Sequence, residues 1–582
     1  MFNVMRTAPW TGGWLALCLA SAGCAPHADV SLTGNAPAQY THVFVTTQAI
    51  WFNTSATAGP GETGWTKLTL NDPVTVDLLS SLDGTLTALA TNMQVPAGTY
   101  SQVRLIPVDA SVALTPSASA LGAIYNSEAD YEDSSNASHQ VPLELLNPDV
   151  GIGISTSLKV AGNGSTTFSA TTTSSSGTSS STTSGSTTSS STTAPKVALA
   201  LNLDGSRDLV PFTYSGAGIT TLTGVLLNPH MTAYDTSQAG GIQGALTLTG
   251  LTNVTNPNNN RVDIQVTAET LSADGTRHIA VNSAAVRSDG TFLVYPLATS
   301  TDTPSSYDLV IHGPAIATII VKGIPVTAGD PNTTSPVSVG TLVPRAATPY
   351  TVHLTTTNPL PAGALVGFYQ TLPDSGEVPY LIEEQPIDPF SRAFATDPSV
   401  SAATLDYGTY STDGAPSMTS ATPSEGTSTY RVSASAPLFA DGVLTTTVTP
   451  PTSGTGPVPV AAPTLSAVSG ATAVNLSALV NVTAVRAFNQ GDLILSHDGA
   501  VVATAPLNPA ALALGGSTTV TINGVPAGSL SSTFDQGLYY LSVRAWNTGQ
   551  TDHVPASVVW ESYPVPVDLR STSTASISLN ID

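Results

Sequence analysis

Cysteine is nearly missing from this 582-residue chain: there are two, Cys18 and Cys24, both close to the N-terminus. Everything beyond them is therefore without disulfides, cysteine-ligated metal centres or thiol catalysis. Charge is scarce as well, at 9% of residues, against roughly a quarter in ordinary soluble proteins. Lys and Arg number 16 against 39 Asp and Glu, a formal net charge of -23. Nucleic acid is excluded as a partner, because binding its phosphates takes a concentration of cations that this chain lacks. Long apolar runs are wanting too. Past the N-terminus each is broken within a few residues by Thr, Ser, Pro or Gly, whereas a membrane-spanning helix needs about 20 apolar residues. Long helical patterns are essentially absent. The sequence holds no Gly-x-Ser-x-Gly elbow, no His-Glu-x-x-His and no phosphate-binding Gly loop. No catalytic residue, cofactor or metal is expected, and the protein is read as a non-enzyme.

What is present starts with an export signal. Arg6 stands in a short polar lead, an apolar run follows around Trp14 to Leu19, and Ala20-Ser21-Ala22-Gly23 precede Cys24. These small residues resemble the lipobox of bacterial lipoproteins, with Ser21 where Leu is usual. The resemblance implies that residues 1–23 are a leader cut before Cys24, whose thiol receives a diacylglycerol and whose new amino group is acylated, palmitate being a usual chain. Cys24 is then the lipidation site, and two or more chains make a stable anchor where one would be marginal. Ala25, in place of Asp, implies sorting to the outer membrane of the cell envelope. The bland alternative is an ordinary signal peptide with an incidental cysteine.

A chain of 582 residues exceeds what one hydrophobic core organises, so several domains in series are expected. Ser, Thr, Ala, Gly and Val fill the space, and the apolar periodicity is almost everywhere two. Val262, Ile264, Val266 and Ala268 alternate with Arg261, Asp263, Gln265 and Thr267, as in a half-buried strand. Asp498-Gly499 separates two strand-like runs and predicts a hairpin turn with positive φ. Asp-Gly pairs at Asp83, Asp274, Asp289, Asp413 and Asp441 read the same way. The fold class expected is all-β, with tandem β-sandwich domains of immunoglobulin-like or transthyretin-like type.

From Val43 to Val112 the carrying features are a strand ending near Trp51, Gly64-Trp65-Thr66-Lys67-Leu68, Val76-Asp77-Leu78-Leu79, and Pro96-Ala97-Gly98-Thr99-Tyr100 leading into Gln102-Val103-Arg104-Leu105. This stretch resembles the bacterial domain-of-unknown-function family four-three-eight-two, found in envelope lipoproteins. The resemblance implies a β-sandwich, usually lipid-anchored, and no established reaction. Strand alternation puts Tyr100, Gln102 and Arg104 on one face and Val103 and Leu105 on the other, with Arg104 a structural partner for a carboxylate such as Asp77. This first domain is placed at 30–235. It resumes where Leu199, Leu201 and Leu203 alternate, after a Ser/Thr/Gly insert at 165–193 that cannot bury apolar surface and is expected to be disordered.

A second domain is expected at 241–344. Ser288-Asp289-Gly290-Thr291-Phe292, Ser306-Tyr307-Asp308-Leu309-Val310 and the run from Val321 resemble carboxypeptidase-regulatory-like β-sandwiches, which usually serve as rods or accessory modules. Some relatives carry a Lys–Asn isopeptide cross-link, for which Lys322 is the one lysine here. Two further β-domains follow at 346–449 and 464–582, divided by a Pro-rich linker at 450–463. In the last, Tyr539, Leu541, Val543 and Ala545 share a face, with Tyr540, Arg544 and Trp546 opposite. An aromatic face binds sugar rings in some proteins, but packing explains it more often.

The best cation candidates are Glu128, Asp130, Glu132 and Asp133, weighed against a solvated acidic loop. Glu383 and Glu384 are adjacent, so a strand points them to opposite faces and denies them a shared acid and base role. The reading that results is a lipid-anchored envelope protein presenting β-sandwich modules for binding, adhesion or spacing. Its partners are the membrane and a protein or glycan surface. The alternative is a secreted glycan-active enzyme or glycan-binding protein whose site is assembled only in the fold.

Overall fold

Alternating apolar residues bury one face of strands such as Arg261–Leu271, and in the computed structural model such faces meet in pairs. The model describes residues 26–582 apart from 82–83, 110–111, 133–136, 162–195, 215–221, 252–254, 257–260, 300–304, 330–335, 356–358, 445, 451–455, 469–471, 483–487, 514, 528–536, 547–558, 562–563, 571–575 and 582. Cys24, Asp133 and the Ser/Thr insert thus lie outside the described residues. Strands dominate, and the α-helices among the described residues are as short as Pro116–Ala120 and Gly205–Asp208.

In the first unit a four-stranded sheet, with His27–Asn35 at its centre, faces an eight-stranded sheet built around Tyr40–Asn53 and Gly98–Pro107. Lys196–Asp204 returns beyond the insert and pairs in parallel with His27–Asn35 along its whole length. Val30, Leu32, Ile50, Phe52, Val103, Leu105, Leu199 and Leu201 fill the space between the sheets. One alternation expected from sequence fails here. The pairing of Gly98–Pro107 with Ile152–Val160 slips between Tyr100 and Gln102, with the extra residue on Ile152–Val160. Beside this slip Tyr100 joins Val103 and Leu105 in the core and packs edge-on against Phe52.

The second unit sets the sheet Thr291–Ala298, Ala239–Leu246, Val337–Leu342 against a seven-stranded sheet. In that larger sheet Val262, Ile264, Val266 and Ala268 point into the core, as their alternation predicts. Its edge is lent by a later part of the chain: Leu405–Thr409 adds in parallel to Ile319–Val326, and Thr419–Ala421 adds to Leu405–Thr409. The segment 346–449 is thus shared between two sandwiches. The third sandwich buries Val352, Val366, Phe368 and Tyr430, together with Val310 and Ile320 from the outer face of the second unit's sheet. Val458–Ala461, within the expected Pro-rich linker, is a strand pairing in parallel with Thr348–Thr355. Val460 has a core to enter, and that burial outweighs the tendency of the flanking prolines to stay out of a sheet.

The fourth unit faces Thr472–Val482 and its neighbours against Gln490–His497, Ala500–Pro506 and Leu538–Trp546. Tyr539, Leu541, Val543 and Ala545 enter its core as expected. Asp498 and Gly499 join two of these strands with φ of 50° and 92°, the left-handed pair that a two-residue type I′ hairpin requires.

The fourth unit does not trail off the end of a rod. It packs back on the first and third units, where Leu146, Phe212, Leu226, Ala362, Ile494, Val501 and Trp546 form one apolar cluster. Gly363 sits at this junction with φ of 73°, and an added Cβ would press on the carbonyl oxygen of Val501. Gly363→Ala is expected to cost about 1–3 kcal/mol from backbone strain and from parting the two units. A melting temperature unchanged from wild type would contradict the close approach.

Candidate functional site

Two kinds of place combine polar chemistry with shelter from water: the junctions that hold the units together, and one cleft that they leave open. The first junction is centred on Arg104, which is 2% exposed. Its guanidinium donates to the carbonyls of Val150 and Gly151 at 3.1 and 3.2 Å and pairs with Asp498 on the fourth unit's hairpin. Burial opposes ionisation of Asp498, yet the charges of Arg104 and His497 outweigh it and hold the carboxyl below the usual range. Asp77, the partner expected for Arg104, instead accepts from the Val43 and Leu79 amides and meets His42 at 2.8 Å. The hairpin that brings Asp498 to Arg104 belongs to another unit, so strand alternation within the first unit could not reveal it.

Arg544 anchors the second junction. Its guanidinium pairs with Glu144 of the first unit at 2.6 Å and lies over Phe390 of the third unit at 4.1 Å and Phe212 of the first at 4.9 Å. The face formed by Arg544 and Trp546 is therefore covered by other units and does not present an aromatic surface to a sugar.

The acidic stretch proves to be a strand, Glu128–Glu132, and not a loop. Glu128 is fully buried and accepts from the Ile124 and Tyr125 amides at 2.7 and 2.8 Å. Burial and its neighbour Glu128 push Asp130 up to about 7. Glu132 lies at the end of the strand, and no group of three His, Cys, Asp or Glu residues suited to a metal ion occurs among the described residues. Lys322, considered for a cross-link, meets Glu377 at 2.8 Å.

The cleft lies where the first three units meet and encloses about 560 Å³. Asp263 and Gln265 reach it from the outward face of Arg261–Leu271, His312 from the end of Ser305–His312, and Glu383 and Gln385 from Tyr380–Pro386. Burial pushes the Glu383 carboxyl up to about 8, with a contribution from Asp263, while a hydrogen bond donated by the Gln385 amide at 2.9 Å opposes the shift. Asp263 is raised as well, because the protein around it displaces water. His312 is 8% exposed, and burial lowers its imidazole to about 4, so it is neutral near pH 7. None of the described residues lining the cleft is Lys or Arg. Arg207 lies behind the wall, committed to Glu384 at 2.7 Å. Glu383 and Glu384 thus part as expected, one to the cleft and one to an ion pair. Strand alternation places Asp263 and Gln265 on the polar side of Arg261–Leu271 and gives no signal for His312. The only signal available was the polar side of that alternation.

Residues 28–210 match the model of a family described as a domain of unknown function, DUF4382. No curated protein sequence matches the chain. Among solved structures, a DUF3823 family protein from Parabacteroides merdae is similar at 10% identity, over 57% of this chain and 100% of that one, with a TM-score of 0.12. A streptococcal ancillary pilin aligns at 12% identity over 59% and 99%, TM-score 0.13. The major pilin SpaA of Corynebacterium diphtheriae aligns at 12% identity over 59% and 100%, TM-score 0.12.

Proposed function

We propose that this protein is a non-catalytic, lipid-anchored component of the bacterial cell envelope, held at the outer membrane through acyl chains on Cys24, whose β-sandwich units act together as one binding body. The second unit is proposed as a relative of carboxypeptidase-regulatory-like modules. The observation that carries the reading is the locking of successive units by buried charges and shared strands. Arg104, Arg207 and Arg544 each spend their charge on a carboxylate from another unit. Presentation of a fixed surface is favoured by such a body.

A second reading, a glycan-active enzyme, draws on Asp263 and Glu383 in one cleft. Glycoside hydrolysis sets one carboxylic acid against one standing carboxylate, which requires environments that push the two apart in acidity. Here burial raises Glu383 to about 8 and shifts Asp263 in the same direction, so the two shifts do not oppose each other. The anchor is tested by Cys24→Ala with membrane fractionation: wild type is expected in the membrane pellet and the variant in the soluble fraction. Equal membrane association of the two would defeat the lipoprotein assignment.

A further inference from the structure

We propose that the cleft between the first three units is a binding site for a short neutral oligosaccharide, whose hydroxyls are held by Asp263, Gln265, His312, Glu383 and Gln385. This rests on the binding reading above and gives it a site and a ligand class. The space, about 560 Å³, lies within the roughly 300–1,000 Å³ of ordinary small-molecule sites. It is also preformed, since its walls come from three units joined by hydrogen bonds such as Asn35 to Ser283 at 2.6 Å and by the pair Arg207–Glu384 at 2.7 Å.

The lining selects by charge. With no Lys or Arg among its described residues, the cleft has no fixed positive charge to offer a phosphate, sulfate or carboxylate. A metal ion needs ionised oxygens converging on it, whereas burial raises Glu383 to about 8 and Asp397, the third carboxyl of the lining, is engaged by His353 at 3.0 Å. A protonated carboxyl both donates and accepts, as do the Gln385 amide and a neutral imidazole, while Gln265, whose nitrogen donates to Ser206 and Ser283 at 2.9 and 2.8 Å, has its oxygen left to accept. That mixture matches vicinal hydroxyl groups, each of which also donates and accepts. Prolines from all three units, Pro37, Pro314 and Pro398 among them, supply C–H surface for the faces of sugar rings.

His312 is the independent pointer to a ligand. The imidazole lines the cleft at 8% exposure, and its ring makes no hydrogen bond to any described residue. Its nitrogens keep their access to the cleft, and a hydrogen-bond partner for them has to come from there. A sugar hydroxyl entering the cleft supplies the missing partner.

The test is calorimetric titration of the full chain, solubilised in detergent, with chitotriose, cellotriose and maltotriose as neutral probes and trigalacturonate as the anionic one. At least one neutral trimer is expected to bind about tenfold or more tightly than trigalacturonate, and a double Asp263→Ala, Glu383→Ala variant to lose about tenfold or more in affinity. Glu383→Gln, which preserves a donor and an acceptor, should retain binding. Wild-type affinity should fall as pH is raised through about 8, where Glu383 ionises. The proposal is overturned if no neutral trimer binds, if the anionic trimer binds best, or if the double variant binds as wild type while melting normally. Release of new reducing ends that Asp263→Asn abolishes would overturn it in favour of hydrolysis. Cys24→Ala should bind the same probes as wild type, so a failure of the anchor and a failure of the cleft are read separately.

Discussion

Arg544→Ala is expected to destabilise the protein by about 3–5 kcal/mol, the range for stripping one partner from a buried ion pair. For a unit of the size of the C-terminal sandwich this corresponds to a drop of about 10 °C or more in its melting temperature. Arg544 is 2% exposed, and its loss strands Glu144, which it meets at 2.6 Å, and Asp492 at 3.9 Å. Asp492 is already raised to about 6 by burial against the lowering charge of Arg544, so the variant should drive it further toward its neutral form. The guanidinium also fills the space between Phe390 and Phe212, and its plane covers both rings in a way an ammonium cannot. Arg544→Lys should therefore recover only part of the loss. Pairing Arg544→Met with Glu144→Gln should recover most of it, because the stranded charge is gone and the apolar volume is kept. Calorimetry that resolves the units would show the first and fourth losing stability together. A change in Arg544→Ala below about 0.5 kcal/mol, the size of an ordinary surface substitution, would sink the claim that this arginine holds them.

Which features were legible in the sequence depends on how far away their causes lie. The faces of Arg261–Leu271 and Leu538–Trp546 were readable, because alternation within a strand is a local property. The turn at Asp498-Gly499 was readable for the same reason: both positions need positive φ, and the residue types say so. The slip opposite Tyr100 was not, since an extra residue on Ile152–Val160 is decided by how that strand sits on Gly98–Pro107. Nor were the partners of the buried arginines. Arg104 finds Asp498 across 394 positions and Arg544 finds Glu144 across 400. Alternation says that Arg544 faces outward from its sandwich and is silent on whether another sandwich lies there. The cleft falls under the same limit. Asp263 and Gln265 read as the solvent side of a strand, and only the return of Tyr380–Pro386 against the first two units turns that side into a wall.

Melting temperature is expected to be highest near pH 5 and to fall as pH rises toward 8, with Glu383→Gln flattening that decline. Glu383 moves from 4.5 to about 8, Asp492 from 3.8 to about 6, and buried Glu269 rises well above its ordinary value. A carboxyl raised by folding holds a proton that the unfolded chain releases. Between the two values the folded state binds more protons, so stability is full below the unfolded value and drains away as pH climbs through the folded one. Asp498 and Asp308 have the opposite sign: burial disfavours their charge, but Arg104 and His278 outweigh it and lower them. Their contribution is present above the ordinary carboxylate range and is lost below it, which closes the acid side. The chain's net charge of -23 adds repulsion in the same direction as the alkaline decline, and the Gln variant separates the local cause from this global one. Removing Glu383's ionisation should restore about 4 kcal/mol at pH 8 and only about 1 kcal/mol at pH 5. Equal shifts at the two pH values would assign the decline to overall charge. A Gln variant less stable at pH 8 would mean that the Glu383 carboxylate is satisfied in the folded protein, and the cleft would then hold a standing anion where a protonated acid is expected.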